Sequence, residues 1–284
     1  MRWIVGVFVA FLVHIAGLAF HSAPPSVHLL FVGDIMLSRS VGDAMLRRND
    51  FDWPFERIAS VTAAADLTFG NLETPISTRG TPHGCGYCFR ADPRVVDGLR
   101  YAGFDVLSVA NNHSHDYGSD AFADTLQYLA SASIDPVGYG PAVVRTVGTT
   151  RIGFLAYTYP LDEARITADI AAARPQADVL VVSFHAGTEY ETVHNALQER
   201  VYHAAIDAGA DLVIGSHPHV VQDVERYKGK WIAYSLGNFI FDQTFSPLTM
   251  HGMLVDLTVK DGHIADFATR SVDISRDYQA SLGP

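Results

Sequence analysis

Apolar runs of strand length alternate along this chain with stretches that have the spacing of amphipathic helices. The apolar runs predict strands at 28–34, 66–74, 104–113, 151–159, 177–187, 210–219 and 230–238. The stretches between them predict helices at 93–103, 119–133, 162–174 and 194–208, and a hairpin is predicted at 252–274, turning at Lys260–Gly262. Because strands that alternate with helices form sheets covered by helices, the chain is predicted to fold as an α/β sandwich.

Polar side chains follow five of these strands, at the point where each strand ends. They are Asp34, Asn71–Glu73, Asn111–His113, His185 and His217–His219. Open α/β sheets bind ligands at the carboxyl ends of their strands, so we expect these side chains to lie at one site. Carboxylate and amide oxygens mixed with imidazoles are the ligands of Mn, Fe or Zn in hydrolytic centres. The sequence therefore predicts a divalent transition metal site with one or two ions.

Each of these residues also has a purely structural interpretation. Asp34 could cap the next helix, Glu73 could pair with a nearby arginine, Asn112 could occupy a left-handed turn, and His185 could be a hydrogen-bonded core histidine. The shared position at strand ends favours the common site, because independent structural roles would not place all of them at the same edge.

The motif GSHPHVVQ at 215–222 places His217 and His219 on either side of Pro218. Proline disfavours a helical conformation in the residue before it, so His217 is predicted to be extended. On an extended backbone, alternate side chains point the same way, which would aim both imidazoles at one point. The alternative is that the two histidines only cap local structure.

Composition and the N-terminal segment limit the class of protein. The net charge of −11 disfavours a nucleic-acid partner. Residues 3–20 are apolar except for His14, and a proline-containing stretch follows them, so residues 1–26 are predicted to be a signal peptide or membrane anchor with a tether. The alternative for this stretch is a buried core helix. We expect an exported, extracytoplasmic domain over 27–284, membrane-anchored or secreted through residues 1–20.

Cys85 and Cys88 lie in the glycine-rich motif HGCGYCFR. In an exported protein a local disulfide is the default interpretation of such a pair. A zinc site would need two more ligands, and a redox motif would need a thioredoxin-like βαβ setting, which the sequence does not indicate. The pair is therefore expected to form a local disulfide.

Six motifs together resemble a known family. GDIMLSR, GNLETPIS, ANNHSHDYG, HAGTEY, GSHPHVVQ and YSLGNFIFDQ occur in this order across 28–243 and are similar to those of the CapA family of capsule and poly-γ-glutamate biosynthesis proteins. That family is in turn similar to the calcineurin-like metallophosphoesterases, which are four-layer α/β/β/α sandwiches with a two-metal site. The resemblance implies this fold class for residues 27–284.

The resemblance also implies a role for each strand-end residue. The residues that match metal ligands are Asp34, Glu73, Asn112, His185, His217 and His219. Glu73 matches the carboxylate that bridges two metals, and His113 matches the histidine that acts as proton donor. Where the phosphoesterases carry Asp-x-His, this chain has Met36 as the third residue, so one metal loses an imidazole. A mononuclear site is the alternative to a dinuclear one.

Three further residues are candidates for substrate binding. Arg39 and Arg90 could hold a substrate carboxylate, or could be ordinary surface arginines, and Glu189 lies in the HAGTEY motif. The resemblance implies an exported metal-dependent hydrolase or transferase that acts on poly-γ-glutamate or another anionic polymer, with possible membrane-bound capsule-synthesis partners. The alternatives are an exported metallophosphoesterase of small esters and a non-catalytic metal-binding component of a capsule export assembly. The sequence leaves the oligomeric state open.

Overall fold

A computed structural model describes residues 26–284 of the chain. The predicted signal peptide or membrane anchor therefore lies outside the described residues. Within 26–284, no helix has both the length and the apolar character that a membrane crossing requires.

The elements follow one another largely as the alternating pattern predicts. The strands are β1 (Val27–Ile35), β2 (Leu67–Leu72), β3 (Val106–Ser108), β4 (Asp135–Val137), β5 (Val143–Val147), β6 (Thr150–Thr158), β7 (Val179–His185), β8 (Leu212–Ser216), β9 (Val224–Tyr227), β10 (Lys230–Ala233), β11 (Asn238–Ile240), β12 (His251–Lys260), β13 (His263–Ile274) and β14 (Ala280–Leu282). The α-helices are α1 (Arg39–Arg48), α2 (Ala59–Thr62), α3 (Val95–Tyr101), α4 (Gly118–Ser131), α5 (Glu163–Ala173) and α6 (Ala196–Ala208).

The strands form two sheets. The first has the order β14-β13-β12-β1-β2-β3-β4, with β11 also paired to β1. The second has the order β5-β6-β7-β8-β10-β9. Strands β1 to β4 are parallel to one another, and so are β6, β7, β8 and β10. Each sheet therefore has one edge where the carboxyl ends of several strands lie together.

Alternation within the strands creates the layers. In β1, Leu29 and Phe31 pack between the two sheets, against Phe154 of β6 among others. Leu30 points the opposite way and packs with Leu99 of α3 on the outside of the first sheet. On the outer face of the second sheet, α5 and α6 cover β6, β7 and β8. Fully burying an aliphatic or aromatic side chain contributes about 1.5–3 kcal/mol, so the period-two pattern fixes which face each strand presents. The predicted four-layer α/β/β/α sandwich is confirmed.

The strands that the pattern missed are short or lie at sheet edges. β4 is an edge strand of the first sheet that contains Pro136, and β5 and β9 are the half-exposed edges of the second sheet. Edge strands carry weak apolar patterns and tolerate proline, because one side of their backbone pairs with no neighbour. The predicted hairpin is present as β12 and β13, and its turn has positive φ at Asp261 and Gly262.

Candidate metal centre

The predicted metal ligands lie together where the carboxyl ends of the two sheets meet. Asp34 lies at the end of β1 and Glu73 directly follows β2, both in the first sheet. His185 ends β7 of the second sheet, and His217 follows β8. Ligand atoms of Asp34, Glu73 and His185 lie within 4.8 Å of one another, and all three residues are buried.

Two glycines allow a close backbone approach beside Asp34. A Cβ at Gly33 would lie 1.9 Å from the carbonyl oxygen of Gly237, so only glycine fits there. The Asp34 amide donates to that same oxygen at 2.9 Å. The approach brings β11 alongside β1, with Asn238 in register with Asp34. Gly33 is thus needed for β11 to pair with β1 and to place Asn238 beside Asp34.

Glu73 is the central side chain. It is fully buried, and within the described chain neither of its carboxylate oxygens has a hydrogen-bond partner. Its Oε1 lies 3.7 Å from His219 Nε2, 3.8 Å from His113 Nε2 and 3.9 Å from His185 Nε2. A buried carboxylate without partners is strongly unfavourable unless a cation compensates it.

Burial, followed by the charge of Asp34, raises the pKa of the Glu73 carboxyl well above its usual range. Burial, followed by His217, lowers the pKa of His185 well below its usual range. Burial and His219 likewise lower the pKa of His217. These imidazoles are therefore neutral at pH 7, which is the form that binds metals through a ring nitrogen.

The second sheet contributes a compact group of imidazole contacts. His185 Nε2 lies 2.7 Å from Asn112 Oδ1 and 3.1 Å from His217 Nδ1. On the opposite side of its ring, His185 Nδ1 lies 3.0 Å from the hydroxyl of Ser216. Asn112 is exposed on the loop after β3, yet its side chain reaches this buried ring. Asn112 and His217 thus both contact the His185 ring nitrogen that lies 3.9 Å from Glu73 Oε1.

Asp34 is held by the backbone and by neighbouring side chains. The His217 amide donates to its Oδ2 at 3.2 Å, and His219 Nδ1 lies 3.4 Å from that oxygen. Asn71 donates from Nδ2 to its Oδ1 at 2.8 Å. His219 and His185 therefore each lie within 4 Å of both carboxylates, Asp34 and Glu73.

The prediction of an extended backbone at His217 is wrong. His217 has φ of 99° and His219 has φ of 59°, both in the left-handed region that favours glycine. Strain of this kind costs roughly 1–3 kcal/mol per residue and is retained where the surroundings require it, often at functional sites. The turn directs the His217 amide onto Asp34. Hydrogen bonding to that carboxylate thus outweighs the local preference set by Pro218.

His113 lies beside the cluster and contacts a different partner. Its Nδ1 is 2.7 Å from Asp116 Oδ2, and its ring stacks on Phe89 at a centroid distance of 3.9 Å. Its other nitrogen, Nε2, faces Glu73. This arrangement leaves one edge of the imidazole toward the centre and ties the other to a carboxylate.

A cleft of about 690 Å³ opens above these residues. Asn112, His113 and His219 line its floor, and Arg39 and Glu189 line its walls. Arg90 is not among the lining residues. Its guanidinium donates to the carbonyls of Arg79 and Gly80, at 3.0 and 3.1 Å, and lies over the ring of Tyr117.

Arg90 therefore does not line the cleft, whereas Arg39 does. The Arg39 guanidinium pairs with Asp242 at 3.2 Å and is partly exposed to the cleft. Within the described part of the chain, Arg39 is the one lysine or arginine that lines the cleft.

Met36, which occupies the position of the histidine in the Asp-x-His motif, is fully buried in the hydrophobic core. The amide and the hydroxyl of Ser38 donate to its Sδ at 3.2 and 3.1 Å. Met36 is thus turned into the core, and the imidazole that this position loses is not replaced from the same strand.

Sequence reasoning placed Asn71 at the predicted site without giving it a role of its own, and it did not place Asn238 or Asp116 there. Asn71 donates to Asp34 and lies 3.2 Å from His185 Nδ1, and Asn238 Oδ1 lies 3.0 Å from His219 Nδ1. Asn238 also ends an apolar run, so the expectation that polar residues at strand ends lie at one site could have included it. The local disulfide prediction is confirmed, because Cys85 and Cys88 are bonded in a loop that lines the cleft.

The residues present fit a divalent metal. The fit rests on the two unpartnered Glu73 oxygens, which are buried among imidazoles that burial keeps neutral. Hard carboxylate oxygens with neutral imidazoles form a donor set for Mn, Fe or Zn. Within residues 26–284, the cluster Asp34, Glu73 and His185 is a candidate metal site.

Comparison with solved structures shows that the fold is metallophosphoesterase-like. A hypothetical protein from Thermus thermophilus superposes with a TM-score of 0.56 at 19% identity, covering 91% of this chain and 100% of that one. A putative 5'-nucleotidase from Staphylococcus aureus, solved in complex with alpha-ketoglutarate, gives a TM-score of 0.50 at 14% identity, covering 91% and 53%. At these identities the similarity concerns the fold alone.

The chain belongs to the family described as bacterial capsule synthesis protein PGA_cap, whose model matches residues 28–243. It is 32% identical to the PGA biosynthesis protein CapA of Bacillus subtilis over 280 residues, which cover 89% of this chain and 72% of that one. It is 30% identical to the capsule biosynthesis protein CapA of Bacillus anthracis over 276 residues, covering 86% and 67%. The resemblance to the CapA family is confirmed.

Proposed function

We propose that this protein is an exported, metal-dependent hydrolase or transferase that acts on poly-γ-glutamate or a similar anionic polymer. The observation that carries the proposal is Glu73, a fully buried carboxylate with two unpartnered oxygens facing imidazoles beside an open cleft. The names of the CapA relatives, which concern PGA and capsule biosynthesis, support the substrate class.

In this proposal the metal is held by Asp34, Glu73, Asn112, His185, His217 and His219. A bound divalent ion supplies Lewis-acid chemistry, polarising the electrophile and activating water. His113 gives a proton to the leaving group from Nε2, the ring nitrogen that faces Glu73. Asp116 accepts from the opposite nitrogen and fixes the orientation of the ring. These are the roles of a general acid and its orienting carboxylate.

Arg39 is the proposed contact for a substrate carboxylate. The protein carries a net charge of −11, which repels an anionic polymer at long range. A local cation in the cleft wall, together with the metal, would supply the attraction that the whole molecule lacks. The pairing of Arg39 with the buried Asp242 carboxylate keeps its half-exposed guanidinium at the cleft.

The test is a metal analysis followed by two assays on the purified protein. We expect at least one Mn, Fe or Zn ion per chain and turnover of a γ-glutamyl oligomer. Turnover of a generic phosphodiester alone would favour a metallophosphoesterase of small esters, and bound metal without turnover of either substrate would favour a non-catalytic component of a capsule assembly. Protein that holds no transition metal even after reconstitution would refute the metal centre.

Export is a separate part of the proposal, supported by the apolar stretch at 3–20 and the proline-containing tether that follows it. An alkaline-phosphatase fusion after residue 40 should be active in cells, since that enzyme folds only outside the cytoplasm. An inactive fusion at normal expression would refute export of the domain over 27–284.

A further inference from the structure

A loop closed by a disulfide borders the cleft, and none of its residues is among the proposed metal ligands. We call residues 83–89 the cystine loop; it contains the bond between Cys85 and Cys88. His83, Tyr87 and Phe89 of this loop line the cleft. Tyr87 is largely exposed, whereas Phe89, which directly follows the second cysteine, is buried.

The Phe89 ring contacts two residues of the proposed function at once. It stacks on the His113 imidazole with a centroid distance of 3.9 Å and an interplanar angle of 22°. The Arg39 guanidinium carbon lies 5.4 Å from the centroid of the same ring. Phe241 packs edge-on against it at 5.9 Å and supports it from the core. One rigid side chain thus touches both the proposed proton donor and the proposed carboxylate anchor.

The backbone of the cystine loop is tied to the carboxylate that orients His113. The Phe89 amide donates to Asp116 Oδ2 at 2.7 Å, the same oxygen that lies 2.7 Å from His113 Nδ1. At the other end of the loop, the His83 amide donates to the Asp116 carbonyl at 2.8 Å. Both ends of the loop therefore hold Asp116, and the disulfide closes the chain between them.

We propose that Phe89, held by the Cys85–Cys88 bond, is a positioning residue that sets His113 and Arg39 at a fixed separation. The inference rests on the proposed function, in which these two residues meet the leaving group and a substrate carboxylate. Its physical basis is that a misplacement of about 1 Å can reduce the rate on the order of a hundredfold. A stacked ring and a loop closed by a covalent bond resist such a displacement.

The first experiment measures the position of His113 without any substrate. In protein labelled at histidine rings, the His113 signal is assigned by its loss in His113→Gln. An aromatic ring stacked at 3.9 Å shields the imidazole, so Phe89→Leu should move the His113 signal downfield, and Phe89→Tyr should leave it near its wild-type position. Phe122→Leu is the matched control, because the Phe122 ring packs at a tilt against His115, with a centroid distance of 4.4 Å, and the stacked partner of His113 is Phe89.

The second experiment measures kinetics on a γ-glutamyl oligomer. Phe89→Leu should lower kcat by roughly ten- to a hundredfold because His113 is displaced, and it should raise KM because Arg39 is displaced. Phe89→Tyr keeps an aromatic ring at this position and should keep both constants near their wild-type values. The double variant Cys85→Ser/Cys88→Ser should change both constants in the same direction by a smaller factor. Partial unfolding alone would lower kcat by reducing the active fraction and would leave KM and the His113 signal unchanged.

An unchanged His113 signal and unchanged KM in both Phe89→Leu and the double serine variant would overturn the inference. A wild-type protein without turnover would instead refute the proposed function. The resonance experiment would then still decide whether Phe89 holds His113, so the two failures can be told apart.

Discussion

The unpartnered carboxylate of Glu73 should make the metal-free protein sensitive to pH, and Glu73→Gln should remove that sensitivity. Burial and Asp34 raise the folded-state pKa of Glu73 above its ordinary value of 4.5. Below pH 4.5 the carboxyl is protonated in both the folded and the unfolded chain. Above this pH the unfolded chain releases the proton while the folded chain retains it, so the free energy of unfolding falls as the pH rises toward the folded-state pKa.

The size of the effect follows from the number of protons. One retained proton changes the free energy of unfolding by at most about 1.4 kcal/mol per pH unit. For a chain of this size that corresponds to about 2–3 °C in melting temperature per pH unit. The lowered pKa of His185 has the opposite effect, because it makes the free energy of unfolding rise with pH below pH 6.5. Burial and neighbouring histidines cause this shift, so Glu73→Gln retains it. Its contribution therefore cancels when the two proteins are compared.

The assay is thermal unfolding with a chelator between pH 4.5 and 7. The melting temperature of the wild type should fall relative to that of Glu73→Gln as the pH rises. Glu199→Gln, on the exposed surface of α6, is the matched control and should follow the wild type. Saturating metal should then raise the wild-type stability by about 3–4 kcal/mol at 100- to 1,000-fold excess over the dissociation constant. Glu73→Gln should gain much less.

Parallel wild-type and Glu73→Gln curves across this range, with equal stabilisation by metal, would contradict the assignment of Glu73 as the buried, uncompensated ligand. An apo wild type that is more stable than the variant at pH 7 would contradict the sign of the argument. Either result would mean that Glu73 is not the central ligand of the proposed metal site.

Three further perturbations test other parts of the structure. His113→Ala should keep near wild-type metal content and melting temperature but lose roughly two to four orders of magnitude in turnover, the range of general acid catalysis; concurrent loss of metal would make His113 a ligand instead. His217→Ala should lose metal by elemental analysis, whereas His251→Ala should retain it, because His251 is exposed and paired with Asp273. Hydrogen bonds from Arg79 and Ser77 lower the pKa of Asp124 to about 2, so the ionised carboxylate stabilises the fold above about pH 4 and this stabilisation is lost between pH 4 and 2. Asp124→Asn should lack this pH-dependent loss of stability, and an acid unfolding transition equal to that of the wild type would refute it.

The sequence by itself determined the layers and the edge at which the site forms. Apolar alternation, as in Leu29 and Leu30, selects the face that each residue presents, because the side-chain period of a strand is two. Polar residues that directly follow such runs, such as Asp34 and His185, must then lie at the carboxyl edge of a parallel sheet. These features depend only on local spacing, which a sequence contains in full.

Only the tertiary structure decided which of these residues meet. Glu73 belongs to the first sheet and His185 to the second, and their distance of 3.9 Å exists because the sheets pack face to face. His217 has a positive φ, and its backbone amide donates a hydrogen bond to Asp34, a contact that no local preference reveals.

The same reason separates the two arginine candidates and explains the part played by Phe89. Arg39 faces the cleft and Arg90 binds backbone carbonyls, although both are isolated arginines in the sequence. In the sequence nothing distinguishes Phe89 from other apolar residues. In the fold it stacks on His113, because its loop lies beside a site formed by strands distant in sequence. Long-range contacts set these positions, and their energy depends on neighbours that only the folded chain brings together.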